Sequence, residues 1–310
     1  MPNVRVVVPG PLGGERVDRV VSFLTGMPRS EAALVIGAGS VVLGGRPVTS
    51  RSQRVSEGEV LEVVVPDRAG PPSADIGVHL TVVHADDSVV VIDKPAGLVV
   101  HPGAGNPSGT LVQGMLARFP DIAGRDWPDG SRPGIVHRLD KGTSGLLMVA
   151  RTPEALASLA SQLEHRTVER RYLALVWGSV EPATGTVDAP LGRSVSEPTK
   201  MAVRADGRRA VTHYEVVRTW AAPQPATLLR CTLETGRTHQ VRVHLAAIAH
   251  PVVGDDRYRR RGAAVAPGVG PGRPFLHAAV LGFDHPATGT RMRFSSALPQ
   301  ELEAVLAGLA

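Results

Sequence analysis

The chain has 310 residues, of which 43% are apolar, and its 34 Lys and Arg residues exceed its 29 Asp and Glu residues to give a net charge of +5. A single cysteine excludes an internal disulfide and a multi-cysteine zinc site, and it favours a reducing, cytoplasmic location. No apolar run approaches the roughly 18 to 20 residues of a membrane-spanning helix, so we expect a soluble protein with no membrane partner.

The first 66 residues have the pattern of a small α/β module with two helices and a short hairpin sheet. Apolar residues recur at helical spacing in residues 15–24, and Ser30 is suited to cap a second helix. Residues 41–48 combine apolar residues with a Gly-Gly turn, and residues 59–65 have the composition of a closing strand.

A cluster of Pro, Gly, Ser and Asp follows this module, so we assign residues 67–78 to a linker and residues 79–310 to a larger domain. Thr152, followed by proline, predicts the start of a helix, and apolar spacing near residue 305 predicts another. Strand patterns lie at residues 80–84, 89–93, 145–150, 172–178, 212–218 and 227–233. Because helices and strands intermix without regular βαβ alternation, we predict an α+β fold with a mainly antiparallel mixed sheet flanked by helices.

Polar and glycine residues are densest at residues 132–145, directly before an apolar strand. Loops of this kind on rigid scaffolds often carry function. From the residues alone, the simpler interpretation is a charged surface turn in which Asp140 pairs with Arg138 or Lys141. A serine hydrolase is disfavoured, because Ser144 stands at the wrong offset for a Gly-x-Ser-x-Gly elbow.

Residues 137–151, HRLDKGTSGLLMVAR, nevertheless resemble the signature of the RluA/RluD family of pseudouridine synthases. Three more segments agree with that family in order and spacing, namely residues 93–102 (DKPAGLVVHP), 170–178 (RRYLALVWG) and 235–245 (TGRTHQVRVHL). The resemblance covers about residues 80 to 300. It implies that the protein isomerises uridine to pseudouridine in RNA.

The resemblance also implies roles for individual residues. Asp140 would be the catalytic carboxylate, and it would act on the ribose either as a nucleophile or as a base. Tyr172 would stack on the flipped uracil, and Arg242 would pair with Asp140 and keep it ionised, with Arg237 as the competing candidate. Arg138 would displace the target base, since the glycosidic bond of a stacked nucleotide is out of reach.

The remaining candidates for substrate or RNA contact are His137, Thr143 and Leu245. Leu245 would form an apolar wall beneath the uracil, although a leucine in such a run is commonly plain core. We expect neither a metal nor an organic cofactor, because the reaction involves no redox or group-carrier chemistry. His239 and His244 invite a metal site, but we expect them to project from opposite sides of a strand.

Residues 14–65 resemble the RNA-binding module named after ribosomal small-subunit protein four, and Arg16 and Arg29 are its candidate RNA contacts. A small structural domain with a solvated basic face is the alternative. We expect a monomer that binds RNA. Large-subunit ribosomal RNA is the leading candidate substrate, and transfer RNA is the alternative.

Two other functions compete with this prediction. A non-catalytic RNA-binding or ribosome-assembly factor is disfavoured because Asp140, Tyr172 and Arg242 occur together. A nucleoside or glycoside hydrolase is disfavoured because the central motif has one carboxylate and no evident acid partner.

Overall fold

The computed structural model describes residues 3–27, 29–65, 72–103, 105–258, 270 and 272–309. The chain divides into two compact units, Met1–Gly70 and Pro71–Ala310. Residues 67–71 of the predicted linker lie outside the described residues. The rest of it joins the second unit, where the backbone N–H of Asp75 donates to the carbonyl of Gln113. No helix among the described residues is long and apolar enough to cross a bilayer.

The first unit is a four-stranded antiparallel sheet packed with two helices. Its elements are β1 (Asn3–Val7), α1 (Val17–Thr25), α2 (Arg29–Gly37), β2 (Val41–Leu43), β3 (Arg46–Pro47) and β4 (Val60–Val64), with strand order β1-β4-β2-β3. The apolar spacing in α1 buries Val17, Val20 and Val21. The predicted cap at Ser30 is wrong, because α2 already begins at Arg29.

The second unit is built on a nine-stranded sheet. Its strands are β5 (Thr81–Ala85), β6 (Val89–Lys94), β7 (Ser144–Ala150), β8 (Glu169–Trp177), β9 (Thr184–Asp188), β12 (Val211–Trp220), β13 (Ala226–Leu233), β14 (Leu276–Asp284) and β15 (Arg291–Ser295). The order is β5-β6-β7-β14-β8-β13-β12-β9, with β15 on β14. A separate ribbon joins β10 (Leu191–Arg193) and β11 (Met201–Val203).

The described residues of this unit also form four α-helices, namely α3 (Leu111–Arg118), α4 (Pro153–Glu164), α5 (Gln240–Ala247) and α6 (Gln300–Ala307). The predicted cap of α4 is confirmed, since the Thr152 hydroxyl accepts the N–H of Ala155 at 3.1 Å. Within the nine-stranded sheet only the β7–β14 pair is parallel. The α+β prediction with a mainly antiparallel mixed sheet is confirmed.

The late motif is a helix, although we predicted a strand for it. Val241 and Val243 alternate with polar residues as in a strand, yet residues 240–245 of α5 are all buried. A helix that is buried on every side shows no amphipathic period, so the pattern was misleading. The reason given against a metal site, that His239 and His244 project from opposite sides of a strand, therefore does not hold.

Two contacts fix the chain that enters β7. Gly145 has a positive φ of 111° and lies so close to β14 that a side-chain methyl would overlap the Ala278 carbonyl oxygen. Buried Arg273, far along the chain, donates to the Gly142 carbonyl at 2.7 Å and to the Ser144 hydroxyl at 2.8 Å. The loop that carries Asp140 is thereby anchored on its C-terminal side.

Candidate active site

A cleft of about 530 Å³ opens in the second unit. Its walls come from the loop before β7, the ends of β8 and β13, and the start of α5, and they include Asp140, Tyr172 and Arg242. Segments that are distant in the sequence therefore meet at one place, because the sheet brings β7, β14, β8 and β13 side by side.

Asp140 and Arg242 form an ion pair at the cleft. Nη1 of Arg242 lies 3.0 Å from Oδ2 of Asp140, whose side chain is 17% exposed. The same guanidinium donates through Nε and Nη2 to the two carboxylate oxygens of Asp255 at 2.6 and 2.9 Å. Such a two-pronged pair fixes the plane of the guanidinium, and the remaining nitrogen points at Asp140.

Arg242 and Asp255 each favour the charged form of the other. Burial alone would lower the pKa of Arg242, but the hydrogen bonds and charges of Asp255 and Asp140 raise it. Burial alone would raise the pKa of Asp255, but Arg242 and the N–H groups of Arg257 and Tyr258 hold it below its usual value. One cation is thus shared by two carboxylates, which leaves the cluster with a net negative charge.

Tyr172 lies on β8 and is 8% exposed, with its side chain at the cleft wall. Burial raises the pKa of its phenol, and the nearby Asp140 adds to this, whereas Arg170 works in the opposite direction. The ring is therefore a neutral phenol at pH 7, which suits stacking on a base better than removal of a proton.

Arg170 lies two residues before Tyr172, and the sequence indicated no separate role for it within the motif of residues 170–178. It is buried, lines the cleft and donates to the Glu234 carbonyl at 3.3 Å. Burial lowers the pKa of its guanidinium. A side-chain methyl added at Gly236 would overlap Nη1 of Arg170.

Arg138 and Thr143 also line the cleft. The exposed Arg138 lies with Nη1 3.1 Å from Nε2 of His101, a residue that sequence reasoning did not single out. Thr143 is 1% exposed, and its hydroxyl has no hydrogen-bond partner in the part of the chain that the structure describes. Arg138 is therefore exposed at the cleft, whereas the Thr143 hydroxyl is buried beneath its surface.

Three other candidates have different surroundings. His137 borders the cleft, but its Nε2 accepts the backbone N–H of Met148 at 3.2 Å. Leu245 is completely buried in the core and does not belong to the described cleft lining, which agrees with the alternative of plain core, and its role as a pocket wall stays a prediction. Arg237 lines the cleft and donates to the Arg209 carbonyl at 3.1 Å, so Arg242 is the partner of Asp140.

The two histidines of the late motif differ in their surroundings. His239 precedes α5 and lines the cleft, whereas His244 lies within α5 and is held by the Thr212 hydroxyl and the Ala189 carbonyl. In the described ranges no group of three His, Cys, Asp or Glu side chains is arranged to hold a metal ion.

Comparison with known proteins explains this geometry. Residues 88–247 match the family model described as RNA pseudouridylate synthase. The chain belongs to the RNA pseudouridine synthase family. A ribosomal large subunit pseudouridine synthase D of Xanthomonas campestris pv. campestris is 43% identical over 98% of this chain and 92% of its own length. A protein of the same name from Pseudomonas aeruginosa is 42% identical, over 95% of this chain and 92% of its own.

A solved structure agrees with the sequence relatives. Human RNA Pseudouridylate Synthase Domain Containing 1 superposes with a TM-score of 0.58 at 27% identity, over 74% of this chain and 88% of the human one. As a member of the pseudouridine synthase family, the protein is an isomerase that acts on RNA, and the predictions of family and reaction class are confirmed.

Replacing Arg242 with lysine should slow this pseudouridine synthase by roughly 100-fold. A single ammonium cannot hold Asp255 at both oxygens and also reach Asp140. Single-turnover isomerisation of RNA measures the loss. Arg230→Lys is the control, because Arg230 makes an exposed ion pair with Glu215 on the same sheet. Equal rates for the two variants would contradict the assignment.

The imidazole of His137 should make the fold sensitive to acid. Burial lowers the pKa of His137 to about 3 from a usual 6.5. Between these values the unfolded chain binds a proton that the folded chain does not, so stability falls as the pH falls through this window. From pH 7 to pH 5 the wild type should lose about 2 kcal/mol more unfolding free energy than His137→Gln, which keeps an acceptor for Met148. Urea unfolding at both pH values measures this, and equal losses would contradict it.

Proposed function

We propose that the protein converts uridine to pseudouridine at particular positions of large-subunit ribosomal RNA, with Asp140 as the catalytic carboxylate. The observation that carries the proposal is the Asp140–Arg242–Asp255 cluster in the cleft beside the buried Tyr172. The two bacterial relatives named above are called synthases of the ribosomal large subunit, which supports this RNA as substrate.

The reaction breaks the bond between ribose carbon one and uracil nitrogen one and then joins the same ribose carbon to uracil carbon five. The hydrogen on carbon five leaves as a proton and nitrogen one takes up a proton, so the product is an isomer of the substrate. Bond breaking builds positive charge on the sugar. An ionised Asp140 can attack the positively charged sugar as a nucleophile, or it can remove a proton from it as a base. Arg242 keeps the carboxylate oriented for either step.

Other cleft residues would hold the detached base and the RNA. Tyr172 offers an apolar ring for the uracil face, and the unpaired hydroxyl of Thr143 lies buried in the cleft wall, where a small shift would bring it to the polar edge of the base. Arg138 stands exposed at the cleft, where it can take the place of the flipped base. Arg166, Arg208 and Arg237 also line the cleft and suit contacts to RNA phosphates.

The first unit is proposed as an RNA-binding module. Buried Asp18 accepts hydrogen bonds from Arg16 at 3.1 Å and from Arg29 at 3.0 Å. These contacts, with that of Arg16 foremost, lower the pKa of Asp18 to about 2. A fixed carboxylate therefore gathers two guanidinium groups on one surface, where they can contact phosphates.

We also propose that the enzyme works as a monomer in the cytoplasm, without a metal or an organic cofactor. Exchange of one bond for another within a single nucleoside transfers no electrons and no group to a carrier. The buried, lone Cys231 fits a reducing compartment.

Asp140→Asn should abolish isomerisation while leaving the fold intact. Unmodified large-subunit ribosomal RNA is incubated with each protein, and pseudouridine is mapped by carbodiimide adducts and primer extension. Asp87→Asn, at a fully exposed carboxylate, is the control and should behave as wild type. Modification that persists in Asp140→Asn would overturn the catalytic assignment, and release of free uracil would indicate a hydrolase. If a parallel incubation showed modification of transfer RNA alone, the proposed substrate would be wrong.

Replacing both Arg16 and Arg29 with glutamine should weaken RNA binding and flatten its dependence on salt. Each lost phosphate contact lowers the slope of log K against log salt by about one. Binding titrations from low to high salt measure the slope, and Arg5→Gln on β1 of the same unit is the control. An unchanged slope with a slower single-turnover rate at saturating enzyme would contradict the module's role.

A further inference from the structure

His239 has a backbone conformation that residues other than glycine rarely adopt. Its φ of 56° and ψ of 21° lie in the left-handed region, at the residue immediately before α5. Its side chain makes no capping hydrogen bond to the helix. The side chain of Gln240 instead accepts the N–H of Arg237 at 3.0 Å. Backbone strain of this kind clusters at functional sites, and the imidazole lines the cleft.

A chain of hydrogen bonds assigns the tautomer of this imidazole. The hydroxyl oxygen of Tyr258 accepts the backbone N–H of Met201 at 3.1 Å and lies 2.6 Å from Nδ1 of His239. Met201 can only donate, so the phenol hydrogen is left to bond Nδ1, and this arrangement favours Nδ1 as the acceptor. The hydrogen of the neutral ring is therefore carried on Nε2.

That Nε2–H faces the catalytic carboxylate. Nε2 lies 3.8 Å from Oδ1 of Asp140, whereas Arg242 holds Oδ2 at 3.0 Å. The two oxygens of Asp140 thus face different donors. A separation of 3.8 Å is too long for a hydrogen bond, but contacts of this kind in empty sites commonly tighten when the substrate binds.

The imidazole is a neutral donor. Its side chain is 15% exposed. Burial lowers the pKa of His239, as do the charges of Arg242 and Arg257, while Asp140 and Asp255 act against them. Arg242 already supplies a positive charge to Asp140, so a second cation would weaken the carboxylate as a nucleophile or base. A neutral N–H group can orient the carboxylate of Asp140 without reducing its negative charge further.

We propose that His239 is a positioning residue for Asp140, that its Nε2–H closes on Oδ1 when uridine occupies the cleft, and that Tyr258 fixes the tautomer that makes this contact. This inference rests on the proposed role of Asp140. It divides the work between two donors, with Arg242 supplying the charge at Oδ2 and His239 orienting Oδ1.

Tyr258 can be tested without removing its ring. The ring lies edge-on to His239 with centroids 5.6 Å apart, and it lies 5.1 Å from the guanidinium carbon of Arg242. Tyr258→Phe keeps these contacts and removes only the hydroxyl that sets the tautomer.

Two substitutions separate the backbone of His239 from its imidazole. Asparagine tolerates the left-handed conformation, but its side chain ends near the position of Nδ1. Glutamine carries an amide N–H close to the position of Nε2. His239→Asn should lower the single-turnover rate roughly tenfold, and His239→Gln should recover part of that loss. The rate is measured by release of tritium from carbon five of uracil in labelled RNA, and RNA affinity should stay unchanged.

A double-variant cycle then tests whether Tyr258 acts through His239. Tyr258→Phe should slow the wild type, and it should slow His239→Asn no further. Nitrogen NMR of the imidazole, assigned by the signal that disappears in His239→Gln, should show an Nε2–H tautomer in the wild type that is lost in Tyr258→Phe. Tyr214→Phe and His79→Gln are the matched controls outside the cleft.

The outcomes separate this inference from the proposed function. Wild-type rates in His239→Asn, or independent effects of the Tyr258 and His239 substitutions, would overturn the inference alone if Asp140→Asn is inactive. An active Asp140→Asn would overturn the proposed function itself.

Discussion

The rest of the site depends on the sharing of one guanidinium between two carboxylates. Asp255 takes two of the nitrogens of Arg242 and fixes its plane, and the third nitrogen meets Asp140. If Arg242 had Asp140 as its only partner, the pair would be neutral and free to rotate. With Asp255 present, the cluster keeps a negative charge and a fixed orientation among largely buried side chains, and the proposed reaction uses both to stabilise positive charge on the sugar.

The surroundings of that cluster show how a mainly antiparallel sheet builds a reactive cleft. Asp140 comes from the loop before β7, Tyr172 from within β8 and Arg242 from α5. The strands β7, β14, β8 and β13 are adjacent in the sheet although they are distant in the chain, so residues about a hundred positions apart become neighbours. The sheet positions these segments, and the side chains of the cleft come from a loop, a strand and a short helix.

Sequence motifs were sufficient to predict that Asp140, Tyr172 and Arg242 belong to one site, because these residue types stand in segments with a specific order and spacing, and the structure brings all three to one cleft. The motifs alone do not show which of their residues also serve the fold. Leu245 belongs to the core, and His137 binds the backbone of β7. Periodicity failed for α5 because burial on every side leaves a helix without a polar face.

The partners of the site residues could not be predicted, since they depend on how loops close. His101 reaches Arg138 across 37 positions, and Tyr258 reaches His239 across 19. Asp255 lies beyond the late motif of residues 235–245 and belongs to none of the four segments. Nothing in the local pattern at these positions distinguishes a partner from an ordinary surface residue, because the contact exists only after the sheet has formed.

The grip of Arg273 on the loop before β7 also bears on when the enzyme becomes competent during synthesis. The ribosome makes the Asp140 loop about 130 residues before it makes the arginine that anchors the Gly142 carbonyl. The parallel partner of β7 arrives equally late. Contacts so distant in sequence slow folding, because a long loop must close before they form. The loop that carries Asp140 can therefore be anchored only after nearly all of the chain has been made, and a nascent chain that already displays the central motif still lacks that anchor.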